Sequence, residues 1–309
     1  MGNSFAHGIV FHYFFGGENC SRKTQGALNA EEFERILDYY SSRHNLLPAH
    51  EFYQKYKNGS IGNNDVCITF DDGLSCAFEV AQPILRNRGL TAFWFVYTLP
   101  FTGKYELLEV YRIFRNECFN SIEDFYSQFY KKILQTKRID WISAWNSDEA
   151  LSYKNRGFYT ENDRRFRFMR DRVLGENQYE IIMSELLKDS DFDVDERCAG
   201  LWLNKEKITV LSEEGNLVGL HSHSHPTTMN TLSKKKKLEE YLTNQTILGD
   251  IIGTKPYVAS YPCSEYDDEA IEVLKSIGVD LAFTARMENK EDVMKIPRID
   301  CATILKEIN

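Results

Sequence analysis

The chain is 309 residues long, with 42% apolar and 27% charged residues and a formal net charge of −9. That length suffices for one large α/β domain or two smaller ones, and the acidic balance argues against a nucleic-acid or anionic-membrane partner. No stretch approaches the roughly 20 apolar residues that span a bilayer. Met1-Gly2-Asn3-Ser4 lacks a basic n-region, and Ala6 stands where a myristoylation pattern needs Ser or Thr. The 7 cysteines (Cys20, Cys67, Cys76, Cys118, Cys198, Cys263 and Cys301) are odd in number and scattered, with no Cys-x-x-Cys. That is the usage of a reducing compartment. The expected location is the cytoplasm, with most cysteines serving as small core residues.

In chain order, residues 8–15 read as a buried first strand carrying His12 among apolar neighbours, where a lone histidine is usually a satisfied core residue. Asn29 then caps a helix, with Glu32 in the capping-box position and Phe33, Ile36, Leu37 and Tyr40 on one face. Residues 66–70 (Val-Cys-Ile-Thr-Phe) read as a short buried strand opening into Asp71-Asp72-Gly73. A helix within 77–88, started or kinked at Pro83, leads to a strand at 91–97, which together make a parallel βαβ unit.

From 103 to 191 the chain turns aromatic and highly charged, with helical spacing at 122–134 and 179–187. It reads as a largely helical insertion. Within it, residues 164–170 (Arg-Arg-Phe-Arg-Phe-Met-Arg) read first as a solvated helix face packed by its aromatics, and second as a lid or wall gripping an anionic substrate. The βα rhythm then returns with a helix at 206–214 and a strand at 217–220 that delivers His221-Ser222-His223-Ser224-His225-Pro226. A long helix at 231–251 carries the run Lys234 to Lys237, expected on a solvated face. Strands follow at 257–261, at 281–284 and from 295 on, with a helix at 267–276 ended by Gly278. Repeated βα units around one site predict a barrel whose loops at the strand C-termini carry the chemistry. The expected organisation is a (β/α) barrel from 1–102 and 192–309, interrupted by the insertion 103–191.

Neighbouring residues that leave a strand point in different directions, so Asp71 and Asp72 can divide the work, one binding a metal while the other faces a substrate. Three of the 7 histidines fall within residues 221–225. His221 and His225, four apart, can meet one ion on a helical turn or tight loop. An extended segment would instead align His221, His223 and His225, so spacing alone leaves His223 open. Either feature alone also fits a turn acceptor at Gly73 or a solvent-exposed loop. Together, each after an apolar strand, they predict a metal site with a base beside it.

With those residues in that order, the chain resembles the NodB-homology polysaccharide deacetylases, carbohydrate esterase family 4. Thr69-Phe70-Asp71-Asp72-Gly73 is similar to the family's first motif, and His221-Ser222-x-x-His225-Pro226 to its second. The resemblance implies a distorted, incomplete (β/α) barrel, one divalent ion held by Asp72, His221 and His225, and Asp71 as the base. Zn²⁺ is the default for such a set, and Co²⁺, Ni²⁺ or Mn²⁺ accept the same donors. Amide cleavage also needs an acid for the leaving amine. Most of the family supplies a late histidine, and this chain has none after His225. A circularly permuted branch, similar to the poly-N-acetylglucosamine deacetylases, carries it on the first strand, where Phe11-His12-Tyr13 stands; His7 is the fallback. Residues 260–267 (Ser-Tyr-Pro-Cys-Ser-Glu-Tyr-Asp) resemble a variant third motif. It implies that Tyr261, Pro262 and Cys263 lie at the substrate, with a main-chain N–H just after Pro262 for the oxyanion. That motif's arginine is missing, so the cation beside Asp71 falls to Arg298.

The expected activity is metal-dependent removal of an N-acyl group, acetyl foremost, from an amino sugar, with release of acetate. A lipid- or nucleotide-linked sugar suits a cytoplasmic enzyme. A deformylase or O-acetyl esterase would use the same scaffold, and a catalytically inactive, metal-stabilised carbohydrate-binding protein is the rival from another class. Intact Asp71, Asp72, His221 and His225 favour the enzyme, because a binding module has no need of a spare base. The expected partner is the carbohydrate substrate, with no nucleic acid and no transmembrane segment.

Overall fold

The structure, a computed structural model, describes residues 5–18, 24, 26–153, 159–288 and 292–308. Met1 to Ser4 and Cys20, read above from sequence, lie outside them. The chain divides into two compact units, Met1–Glu106 with Gly200–Asn309, and Leu107–Ala199.

The first unit opens with β1 (His7–Phe11), α1 (Ala30–Ser41), β2 (Asn45–Leu46), α2 (Ala49–Lys57), β3 (Asp65–Phe70), α3 (Ser75–Asn87) and β4 (Phe93–Val96). The second unit holds α4 (Leu107–Glu117), α5 (Ile122–Gln135), α6 (Ile139–Trp145), α7 (Asp148–Ser152) and α8 (Glu161–Phe168). A π-helical stretch (Met169–Leu174), α9 (Gly175–Asp189) and α10 (Val194–Arg197) complete it. The first unit resumes with α11 (Lys205–Glu213), β5 (Leu217–Leu220), α12 (Lys234–Ile252), β6 (Val258–Ser260), α13 (Asp268–Ser276), β7 (Leu281–Phe283), β8 (Arg298–Asp300) and α14 (Cys301–Ile308).

The strands pair in parallel in the order β7-β6-β5-β4-β3-β1-β8, with β2 beside the start of β3. Across the seam between β7 and β8 the described residues show one bridge, Phe283 to Ile296, just ahead of β8. The sheet is therefore a parallel barrel nearly closed, the distorted and incomplete (β/α) barrel that the motifs imply.

Side chains alternate across the strands. Phe11, Phe14, Phe33 and Phe70 form an aromatic layer between sheet and α1, with Phe70 stacked on Trp94 at 4.2 Å. On the other face Cys67, Phe93, Phe95, Leu217, Val258, Leu281 and Phe283 pack with Phe52 and Tyr53 of α2. Helix α2 crosses the N-terminal strand ends, where Ala49 N–H donates to Thr91 Oγ1, Lys55 pairs with Asp65 and the Tyr53 hydroxyl donates to Asp280. The opposite, C-terminal mouth is left to the loops. The Asn29–Glu32 capping box is formed in both directions, at 2.8 and 2.9 Å.

Several expectations are corrected. Strand β1 stops at Phe11, because Phe14 instead bridges Leu28, and His12 emerges at the strand's C-terminal end. Helix α3 begins at Ser75 and contains Pro83 rather than starting there. Lys234 to Lys236 are solvated, but Lys237 is buried against Asp267 and Glu269 at 2.5 and 3.0 Å. In the second unit the 164–170 stretch buries Phe166, Phe168 and Met169, and its arginines are half-buried rather than solvated. Arg164 and Arg165 donate to the Tyr159 and Trp145 carbonyls, and the Arg167 guanidinium lies 4.1 Å over the Tyr159 ring. No described helix is long and apolar enough to cross a membrane.

One close approach tests the packing of the barrel. A Cβ on Gly219 would lie 2.7 Å from two Phe95 ring carbons and 2.8 Å from the Val258 carbonyl oxygen. Gly219→Ala is expected to destabilise the fold by about 1–3 kcal/mol through overpacking, read as a lower urea or thermal midpoint. An unchanged midpoint would refute that tight interior.

Candidate active site

The side chains singled out from sequence converge at the C-terminal mouth, each just past a strand. His12 follows β1, Asp71 and Asp72 follow β3, and His221 follows β5. Asp72 Oδ1 lies 3.3 Å from Nε2 of His221 and 3.3 Å from Nε2 of His225. The three donor atoms all lie within 4.8 Å of one another. His221 Nδ1 is 2.9 Å from the Ser260 carbonyl, which can only accept, so this nitrogen carries a proton and Nε2 is the one turned to Asp72.

These donors fit a metal ion. Nitrogen and oxygen ligands at about 2.0–2.1 Å in a tetrahedral set stand roughly 3.3–3.4 Å apart, the spacing found between Asp72 and each histidine. The electrostatics show the same demand for positive charge. Burial opposes ionisation of Asp72, yet the His221 hydrogen bond and the neighbouring imidazoles hold its carboxyl well below the usual range. Burial likewise opposes protonation of His221, but Asp71 and Asp72 outweigh it and raise its pKa. His225 has less compensation, and burial pushes it down to about 4.

Asp71 stands outside that triangle and is gripped by Arg298. Nη1 donates to Oδ1 and Nη2 to Oδ2, both at 2.7 Å, and Ser260 Oγ donates to Oδ2 at 3.2 Å. Burial alone would raise Asp71, but the guanidinium outweighs it and keeps the carboxyl below its ordinary value. His12 Nε2 lies 3.9 Å from Asp71 Oδ2, with 30% of its side chain exposed against 4% for Asp71. It is therefore not the enclosed strand residue that its apolar neighbours predict.

Of the remaining sequence candidates, Tyr261, Pro262 and Cys263 follow β6 at the same mouth, whereas His7 and His223 lie apart from the triangle. His7 sits at the N-terminal end of β1, the mouth opposite His12, with Nδ1 on the Phe5 carbonyl and its ring against Tyr40 and His44. That position is at the opposite end of the strand from Asp71. His223 bonds Thr98 Oγ1 through Nδ1 at 2.9 Å and is not in the metal triangle. Tyr261 is buried, its hydroxyl donating to the Met294 carbonyl at 3.0 Å and its ring stacked on Tyr266 at 4.3 Å. Pro262 is buried, and Cys263 is exposed with a left-handed φ of 53°.

Two residues of α12 that sequence reasoning missed hold the histidine loop. Asn244 accepts from His221 N–H at 3.0 Å and donates to the Val96 carbonyl at 2.9 Å. Glu240 accepts from the N–H groups of His223 and Ser224 and from Ser224 Oγ, at 2.9, 2.7 and 2.7 Å. A signal was present for Asn244, since Lys237, Asn244 and Gln245 place polar groups on the buried face of one helix.

The sequence model of the family described as Polysaccharide deacetylase matches residues 183–282, which include the histidine loop and the 260–267 stretch. None of the curated proteins matches the chain. The deacetylase PplD of Streptococcus pyogenes, solved in complex with acetate, matches with TM-score 0.56 and 12% identity over 98% of each chain. IcaB from Ammonifex degensii matches with TM-score 0.56 and 15% identity, covering 98% of this chain and 96% of that one. A de-N-acetylase from Aggregatibacter actinomycetemcomitans gives 0.55 and 11%, covering 98% and 99%. At these identities the structures speak for the fold. The family match and the fold agree with the resemblance carried by the two motifs.

The contacts from α12 predict a measurable dependence. Glu240→Ala and Asn244→Ala should each weaken Zn²⁺ affinity roughly 10–100-fold, the usual effect of losing a group that orients metal ligands. Asp72→Ala should abolish tight binding. Calorimetric titration checks both, and wild-type affinity in the two α12 variants would show that the loop holds its shape unaided.

Proposed function

We propose, with the polysaccharide deacetylase family and fold as premise, that the chain hydrolyses the N-acetyl group of an amino sugar, using a divalent ion and releasing acetate. The observation that carries this reading is the triangle of Asp72, His221 and His225 beside a second carboxylate, Asp71, that the triangle leaves out. An ion held by those three side chains would polarise the acyl carbonyl and lower the pKa of the attacking water towards about 7.

The chain's own groups supply the proton transfers. Asp71 takes the proton of the attacking water. Arg298 and Ser260 keep it ionised and oriented, which costs basicity, so Asp71 suits a water already acidified. His12 stands on the more exposed side of Asp71 and delivers a proton to the leaving nitrogen. An amine leaves poorly unless protonated, so this step matters more for an amide than for an ester. The main-chain N–H of Cys263 is the donor assigned to the developing oxyanion, and Tyr261 anchors that turn through Met294 and Tyr266. A site that only bound metal and sugar would have no use for Asp71 and His12 together. The Aggregatibacter neighbour, a de-N-acetylase by name, supports the N-acyl choice. The substrate class is an N-acetylated amino sugar, free in an oligomer or linked to a lipid or nucleotide.

On a substrate the wild type turns over, Asp71→Asn and His12→Ala should each lower kcat by roughly 10²–10⁴-fold, the typical worth of one general acid or base. With p-nitrophenyl acetate, whose leaving group needs no proton, His12→Ala should lose far less than Asp71→Asn. Acetate release followed enzymatically decides the matter: near-full amide activity in Asp71→Asn would sink the assignment of the base.

A further inference from the structure

The chain has 4 tryptophans, and three of them, Trp94, Trp141 and Trp145, are buried with 1%, 7% and 5% exposure. Trp202 is half-buried, and the chemistry above does not use it. Its position is fixed twice. The main chain bridges Leu74, just past Asp72, with Leu203 N–H donating to the Gly73 carbonyl at 2.9 Å and Ser75 Oγ to the Trp202 carbonyl at 2.8 Å. The indole N–H donates to the Tyr97 hydroxyl, and the Tyr97 ring packs 5.0 Å from the ring of His225. Tyr105, also half-buried, lies alongside Trp202 with ring centroids 5.9 Å apart and a 32° tilt.

We propose that Trp202, with Tyr105 beside it, is a sugar-stacking subsite that takes the C–H face of a pyranose ring next to the sugar whose acyl group lies in the metal centre. The identity of the ligand as an amino-sugar chain rests on the deacetylase reading. The indole's polar edge is already bonded, so what remains in solvent is apolar ring surface that water wets poorly. A pyranose ring is apolar on its C–H face and polar at its rim, so it covers such a surface while its hydroxyls stay hydrated. The bridge and the indole bond hold the ring in place beforehand, which reduces the entropy lost on binding. One side chain, Tyr97, separates Trp202 from a metal-site histidine. A ring stacked there is a neighbour of the reacting sugar, and the preferred substrate has at least two sugars.

A merely structural Trp202 would cover Leu74 and Tyr105, and its loss would change stability but not sugar affinity. The test is calorimetric titration of the Zn²⁺-loaded His12→Ala protein, slow in turnover and with the Asp71–Arg298 pair intact, with β-1,4- and β-1,6-linked N-acetylglucosamine tetramers. Adding Trp202→Ala should weaken the better tetramer by roughly tenfold (about 1.4 kcal/mol), and Trp202→Phe should restore most of that loss. In the parent protein, binding should shift tryptophan emission, because only Trp202 is half-exposed. Equal tetramer affinity with and without the indole would overturn the subsite, as would no binding of either tetramer at millimolar concentration. Acetate release by the wild type is scored separately. Release without any effect of Trp202→Ala on KM removes the subsite and leaves the deacetylase reading. Trp202-dependent binding without release does the reverse.

Discussion

Arg298 enters the barrel interior from β8 with none of its side chain exposed and meets both oxygens of Asp71 at 2.7 Å. A charge buried this way is tolerated only when its partner and its remaining donors are satisfied. Here Nε donates to the Thr284 carbonyl, Nη1 also to Thr69 Oγ1 and Nη2 also to Ser260 Oγ. Phe95 and Phe283 lie beneath the guanidinium at 5.7 and 5.9 Å. Room for the stem comes from Gly8, where a Cβ would stand 3.0 Å from Arg298 Cγ. One side chain thus ties β8 to β1, β3 and the ends of β6 and β7, across the seam where the described residues show a single bridge. Removing either partner would leave an uncompensated buried charge, so barrel closure and the ionised state of Asp71 depend on the same contact.

Backbone strain concentrates around the Asp72, His221 and His225 cluster. Asp72, Ser222 and His225 have φ of 73°, 64° and 56°, in the left-handed region that non-glycine residues adopt at a cost of order 1–3 kcal/mol each. Asp and His enter it more readily than most, and contacts from outside the loop supply the rest. His225 N–H donates back to Ser222 Oγ, while Glu240 and Asn244 of α12 hold the main chain on either side of Ser222. These bends bring His225 back towards Asp72, a meeting that an extended 221–225 segment would prevent. The geometry of the Asp72, His221 and His225 cluster is therefore imposed on the loop by a helix that contributes none of its members.

What was legible in the sequence follows from how local each signal is. Strand β5, the α1 capping box and the Asp-Asp and His-x-x-x-His motifs are short patterns whose physics is contained in a few adjacent residues. Helix α2 was equally local, with Ala49, Phe52, Tyr53 and Tyr56 at helical spacing, but it follows the two-residue strand β2 and has no side-chain cap at Pro48 to announce it. The residues that stayed hidden act over distance. The Arg298–Asp71 pair, 227 positions apart, was reached only through the resemblance and its missing arginine, and the Arg298–Gly8 fit, which joins the two ends of the chain, had no local signal. Glu240 reads as one more charge on a lysine-rich helix until the fold brings it under two backbone N–H groups. His223 was undecided for the same reason, because only the bent loop reveals which histidines face Asp72.

Strand β1 carries the clearest case of position deciding chemistry. His7 and His12 flank the same short apolar run, and by composition each is a histidine beside a buried strand. A parallel barrel makes its two ends unequal. The N-terminal mouth is packed by α2 and by aromatic side chains, and there burial lowers the His7 pKa and favours the neutral ring. The C-terminal mouth is where β3 and β5 release their carboxylates and imidazoles, and there His12 lies 3.9 Å from Asp71 with part of its ring in solvent. Of the two histidines only His12 combines a carboxylate neighbour with access to solvent. Strand direction therefore separates the two histidines more sharply than any feature of their flanking residues.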